Sequence, residues 1–401
     1  MQLKMSRCLA IVSLVCGFAI AVNACSITLP EDVKGFAPIL LTRTSSKDDY
    51  ELFKPTGKTT ELNDDTQLLL ACTGSKNVIV SEGKSTLQLT CSGDEFVDAN
   101  NNAYDLKDLV CKSIPSPTLR VTDETCSQNR GVIHQPGFKV NNQFYGPVFE
   151  ICYNNDIEHT YYTHNTINGA TIENAISEST RRSFSAKGMK YSTKKTNDYY
   201  TQANQIELFK KLFGAKQTYI DGSDYFARGH LTPDADFIFG YEQLATYFYT
   251  NVAPEYQLIN AGNWLRVEEL ARSVAASYGD DLETYNGYLG QLQLENPKGK
   301  LIDIFLDDGK KIEAPKYYFK VLLHRDTDEA IVFVTVNNPF AADGQAEEIC
   351  ENVCDQADLK HDNFPTLSKG YTFCCRLEDF KLHYDGLPED VEAGKLMTKK
   401  N

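Results

Sequence analysis

The spacing of apolar and polar residues separates the chain into two kinds of segment. Over residues 25–126, short stretches such as "LLLACTG", "NVIVSEG", "TLQLTCSGDEF" and "YDLKDLVCK" alternate apolar with polar positions and are cut by Gly, Asn, Asp and Ser. A period of two bounded by turn residues predicts a small module of short β-strands. From Gly131 onward the pattern is mixed. "GFKVNNQFYGPVFEICYN" and "HTYYTHNTING" predict strands, and "NQIELFKKLFG" predicts a helix. "KYYFKVLLH" and "AIVFVTVNN" are nearly continuous aromatic and β-branched runs, the pattern of strands buried on both faces. Strands interspersed with separate helices predict an α+β core. The final "VEAGKLMTKKN" predicts a frayed tail.

One long helix is predicted from Asn260 onward, where Ala, Leu, Glu and Arg dominate and no Pro intervenes. At about 100° per residue, Asn260, Trp264, Glu268 and Arg272 drift by only about 40° per step and share one stripe. Val267, Leu270, Ala271 and Val274 lie on the adjoining arc and face the core. Trp264 reads as a core wedge. Glu268 and Arg272 alone would be an ordinary i,i+4 ion pair. With Asn260 they also make a set suited to a hard cation and a phosphate, since Mg²⁺ takes oxygen ligands and keeps most of its waters.

The N-terminal residues bear on where the protein works. Lys4 and Arg7 precede the apolar run "LAIVSLVCGFAIAV", and small Ala24 stands before Cys25. A charged start, a short apolar centre and a small residue at the cleavage point predict a secretory signal peptide over residues 1–24. Of 12 cysteines, ten follow that segment. An even number in an oxidising compartment predicts disulfides. Cys350, Cys354, Cys374 and Cys375 could alternatively be drawn as a zinc cluster.

The formal charge is −15, which argues against binding a polyanion through overall charge. A local exception exists. Arg181, Arg182, Lys187, Lys190, Lys194, Lys195, Lys210, Lys211 and Lys216 are opposed in their stretch only by Asp198 and Glu207. That stretch leads into "YFARGHLTPDADF", where scarce histidine appears as His230 beside Arg228 and Gly229. His159 and His164 fall on a predicted strand and read as structural. No Gly-x-Ser-x-Gly elbow and no phosphate-binding Gly-rich loop ending in Lys-Ser or Lys-Thr is present.

"ARGHLTPDADF" followed by "NVAPEYQLINAGNWLRVEELAR" resembles the signature of the DNA/RNA non-specific endonuclease family, the ββα-metal or His-Me finger nucleases. The resemblance spans roughly residues 131–375 and is nearest to a secreted arthropod branch of digestive and salivary proteins. It implies a ββα-metal core over 131–390, preceded by a disulfide-rich β module over 25–130 and followed by a tail over 391–401. It implies that Arg-Gly-His is a catalytic turn with His230 as general base. Asn260 would be the one direct ligand of Mg²⁺, with Mn²⁺ as a substitute, and Glu268 would hold the metal's water shell. Arg272 would steady the phosphate. A further family arginine best matches Arg182 in "STRRSFSAKG", with Arg181 possible, and Arg228, Lys194 and Lys195 would contact the substrate backbone. The implied reaction leaves a 5′-phosphate and a 3′-hydroxyl on DNA or RNA. Two positions depart from the pattern: Ala227 stands where many members have Asp, and Glu255 where many have Gln, adding a negative charge near the strand-to-helix turn. Those departures support a rival reading, a nucleic-acid-binding protein on a nuclease scaffold with little turnover.

Overall fold

The computed structural model describes residues 24–43, 49–176, 182–307, 309–341 and 347–400. The predicted signal peptide over residues 1–24, apart from Ala24, and the alternative arginine Arg181 lie outside them. Among the described residues the fold is α+β, with two main sheets and helices packed on the larger one. The N-terminal sheet has six antiparallel strands, and its centre is Ile39–Arg43, Gln67–Ala71 and Thr86–Ser92. "LLLACTG" and "TLQLTCSGDEF" are strands as predicted. "YDLKDLVCK" is mostly a 3₁₀ turn, Leu106–Asp108, because Asp105 caps the Lys107 amide while Leu106 and Leu109 both bury.

The larger sheet has ten strands, with Pro315–His324 and Glu329–Val336 adjacent towards one end of it. They pair antiparallel in register Tyr318↔Thr335 and Lys320↔Phe333. Both are buried along almost their whole length because each face of the sheet is covered. Tyr318 and Leu322 join the core on one face. Phe319, Val321 and Leu323 meet Leu377, Phe380 and Val391 on the other. This explains the absence of alternation in the two runs.

The C-terminal segment departs from the predicted tail. Lys395–Leu396 pairs parallel with Glu329 and Ala330, and Val391 and Met397 are fully buried. An exposed sheet edge accepted the backbone, and two apolar side chains fixed the register.

The ten described cysteines form five disulfides: Cys25–Cys91, Cys72–Cys111, Cys126–Cys152, Cys350–Cys375 and Cys354–Cys374. The C-terminal four are therefore not a zinc site. No described helix is long and apolar enough to cross a membrane.

His134, on strand Gly131–Val140, gives the fold an acid sensitivity. Its ring is fully buried beside Tyr153, and neither nitrogen finds a hydrogen-bond partner. Burial pulls its pKa down to about 4. As pH falls below the ordinary 6.5, the unfolded chain takes up a proton that the folded one refuses, so stability drops between 6.5 and about 4. The loss is roughly 3 kcal/mol. His134→Phe is expected to flatten that part of the curve, measured as the change in melting temperature between pH 7.5 and 4.5 against wild type. An equal slope in both proteins would assign the acid sensitivity to other groups.

Candidate functional site

The stretch that carries His230 is a strand rather than a turn. Phe226–His230 pairs antiparallel with Val252–Tyr256, with Ala227 opposite Glu255 and His230 opposite Val252. Phe226 buries fully on one face of the strand. Gly229 lies on the other face, with Ala227 and Glu255, where a Cβ would stand 2.5 Å from Glu255 Oε2 and 2.9 Å from the Tyr318 hydroxyl. No side chain fits there, so the glycine between Arg228 and His230 is a packing requirement.

The following helix also differs from prediction. Asn260–Trp264 forms a π-turn, with Gly262 at non-helical φ −100° and ψ −120°, and the regular helix is Leu265–Tyr278. Gly262 presses on residue 369, where a Cβ would lie 2.7 Å from the Lys369 carbonyl oxygen. The predicted four-residue stripe is thus broken at its first step. Trp264 is fully buried, as are Val267, Ala271 and, nearly, Val274.

A cavity of about 410 Å³ opens at the end of the hairpin, lined by Arg182, Phe184, Ala227, Arg228, His230, Tyr247 and Asn260, with Asn197 and Gln257. His230 stands between the rings of Phe184 and Tyr247, each 5.0 Å away, with Nε2 3.5 Å from Thr246 Oγ1. Arg228 is held flat: Nε donates to the Tyr249 hydroxyl at 2.8 Å and Nη2 to Asn197 Oδ1 at 3.2 Å, over the Tyr200 ring. Arg182 donates from Nη1 to Ser116 Oγ at 3.0 Å and from Nη2 to the Ile114 carbonyl. Asn260 is half-buried at the cavity wall.

Glu268 and Arg272 are not among the described residues on that wall. They belong to a charged group with the enclosed Asp236 and Lys320. Arg272 Nη1 pairs with Asp236 Oδ1 at 3.3 Å, not with Glu268, and Lys320 Nζ pairs with Asp236 Oδ2 at 3.1 Å. Lys320 also donates to Asn286 Oδ1 at 2.6 Å, and it and Asp236 are wholly enclosed. Glu268 keeps some open surface. Desolvation nonetheless pushes its carboxyl up to about 8, with Asp236 and Asp234 adding to the rise while Lys320 and Arg272 oppose it.

Glu255 sits where a negative charge is disfavoured. Its carboxyl is fully buried with no hydrogen-bond partner on either oxygen. Burial, then the nearby Glu268, holds its pKa well above the carboxylate range, which favours its neutral form.

Two residues of this group were not found in the sequence, Asp236 and Lys320. A signal existed, since Lys320 interrupts a run predicted to be buried on both faces, and such a lysine needs a buried anion. Lys194 and Lys195 are exposed on helix Thr193–Tyr199, which also carries Asn197 to the cavity. Other cations of the basic stretch are partly neutralised, Lys190 by Asp156 and Lys210 by Glu207. His159 is taken up by Glu313 at 2.5 Å, and His164 stacks on Tyr285 at 4.4 Å.

Among the described residues no three His, Cys, Asp or Glu side chains gather as a metal cage. The oxygen donors on the cavity wall include the amides of Asn260 and Gln257, which are hard and neutral. Such donors fit a cation that retains most of its waters and needs few protein ligands.

A profile of the DNA/RNA non-specific endonuclease family matches residues 129–380. The chain is 35% identical over 383 residues to salivary protein Tsal1 of Glossina morsitans morsitans, covering 94% of this chain and 95% of that one. It is 32% identical over 411 residues to a salivary endonuclease of Lutzomyia longipalpis, covering 100% and 94%. A salivary endonuclease of Culex quinquefasciatus is 29% identical over 332 residues, covering 80% and 81%.

Proposed function

The chain belongs to the DNA/RNA non-specific endonuclease family, and from that premise we propose that it is a secreted, Mg²⁺-dependent endonuclease acting on DNA and RNA. One observation carries the reading: a single cavity wall gathers His230, Asn260 and Arg182 from three separate segments. His230 takes the proton of the attacking water as the new O–P bond forms. The bond to the 3′-oxygen breaks, that oxygen takes a proton from solvent, and a 5′-phosphate remains. Arg182 meets the charge that builds on the phosphoryl oxygens. Arg272 steadies the phosphate, with its guanidinium oriented by the ion pair to Asp236. Asn260 would hold Mg²⁺ or Mn²⁺ directly and Glu268 through a water, and the bound ion would supply Lewis-acid stabilisation of the same charge. Arg228, fixed in its aromatic box, lines the groove, and contacts to backbone phosphate leave sequence unread.

A second reading has its own support. Ala227 leaves the wall without a carboxylate among the described residues. That favours a nucleic-acid-binding protein with slow turnover. Plasmid DNA and RNA, each incubated with the protein in Mg²⁺ or in EDTA, separate the readings. Cleavage in Mg²⁺ alone is the result expected of the enzyme. Tight binding with both substrates intact over hours would leave only the binding protein. In the same assay, Lys194→Glu with Lys195→Glu is expected to weaken binding and to flatten its dependence on salt by about two phosphate contacts. An unchanged salt slope would place those contacts elsewhere.

A further inference from the structure

We propose that the 113–116 loop of the N-terminal β region is a positioning element of the cavity, setting the direction in which Arg182 presents its guanidinium. The inference rests on the cleavage reading above and adds a role for a region with no chemistry of its own.

Arg182 is held from outside its own segment. Its two terminal nitrogens donate to Ser116 Oγ and the Ile114 carbonyl, 66 and 68 residues earlier in the chain. A guanidinium is a planar fork of five N–H donors, so two anchored nitrogens fix its plane and the direction of its other edges. Without them, the long arginine side chain has many rotamers open to it, and that freedom would have to be given up when a phosphate arrives.

The loop itself is rigid for identifiable reasons. Buried Asn77 donates to the Ser113 carbonyl at 2.8 Å and to the Thr73 carbonyl at 2.9 Å, and accepts from the Ser113 amide at 3.0 Å. Thr73 Oγ1 donates to the Ser116 carbonyl at 2.8 Å, and the Ser116 amide returns a bond to the Thr73 carbonyl at 3.1 Å. The Cys72–Cys111 disulfide ties both arms together just beside these contacts. At the other end Ile114 buries with Leu244, Tyr247 and Phe184, and the last two are the rings that flank His230. The disulfide-stapled region thus reaches both the arginine and the aromatic walls of the imidazole.

The test is a double-mutant cycle read as kcat and KM on a plasmid substrate in Mg²⁺. Ser116→Ala and Asn77→Ala are made alone and with Arg182→Gln, with melting temperatures as the folding control. Each loop variant is expected to lower kcat, Asn77→Ala by about tenfold and Ser116→Ala somewhat less, with KM moving less than about twofold. In the Arg182→Gln background each should change kcat by less than about twofold, because the group they direct is gone. Arg182→Lys, which keeps the charge and loses the fork, is expected to fall with the loop variants. Loop effects that persist undiminished without Arg182, or a folded Ser116→Ala protein at the wild-type kcat, would overturn the inference while the cleavage reading stands. A wild type that cleaves nothing overturns both.

Discussion

His230→Ala is expected to lower cleavage by about 10² to 10⁴ while leaving nucleic-acid binding in place. The expected size follows from what the substitution removes. The imidazole lines the cavity at the end of a paired strand and is the one histidine there. The backbone of that strand is held by its partner Val252–Tyr256 and by the close approach of Gly229 to Glu255 and Tyr318, none of which involves the imidazole. Arg182, Arg228 and Asn260 remain on the wall, so phosphate contacts survive. Truncating the ring opens space between Phe184 and Tyr247 and should cost stability of about 1 kcal/mol, visible as a small fall in melting temperature. The measurement is single-turnover cleavage of plasmid with a parallel binding isotherm. A folded variant that cleaves at the wild-type rate would remove Arg228-Gly229-His230 from the chemistry.

Much of this arrangement could be read from residue order, and the parts that could not share a physical cause. The strands around Tyr318 and Val332 were legible because burial on both faces leaves a continuous apolar run. The pairing of ten cysteines into disulfides was legible in kind from the export signal. Protonation was not. Glu255 reads as a negative charge in the sequence, while in the fold its oxygens end in a dry layer beneath Gly229 with no donor, which favours the neutral form. The partner of Arg272 was also hidden: helical spacing offered Glu268, while the tertiary fold delivered Asp236 from the loop after His230 and Lys320 from the central sheet. Spacing rules describe neighbours on one element, and a buried charge takes whichever partner the packing of several elements brings. The π-turn at Asn260 combines both levels, since Gly262 takes the non-helical conformation and residues 363–370 pack against it.

Asn260→Ala is expected to fail differently from His230→Ala, by weakening the cation rather than by removing a base. The turn that carries Asn260 does not depend on its side chain. Asn263 Nδ2 donates to the Asn363 carbonyl at 2.8 Å and to the Gly370 carbonyl, and Gly262 seats against residue 369, so the π-turn stays fixed from outside. Alanine accepts the right-handed backbone of position 260, φ −56° and ψ −43°, without strain. What disappears is one amide oxygen on the cavity wall. As the direct donor to a cation otherwise held by waters, its loss should reduce apparent metal affinity by at least about 10²-fold. Cleavage at low Mg²⁺ should therefore collapse, and part of it should return as Mg²⁺ is raised, whereas the His230→Ala loss stays flat at every concentration. Ala227→Asp sharpens the contrast. Residue 227 lines the same cavity, so a carboxylate there should be neutral or mildly activating, most visibly at low metal. The measurement is cleavage rate against Mg²⁺ concentration for wild type and the three variants. If the Asn260→Ala curve runs parallel to wild type at lower height, with no shift along the metal axis, Asn260 is not the ligand and the cation must bind elsewhere on the wall.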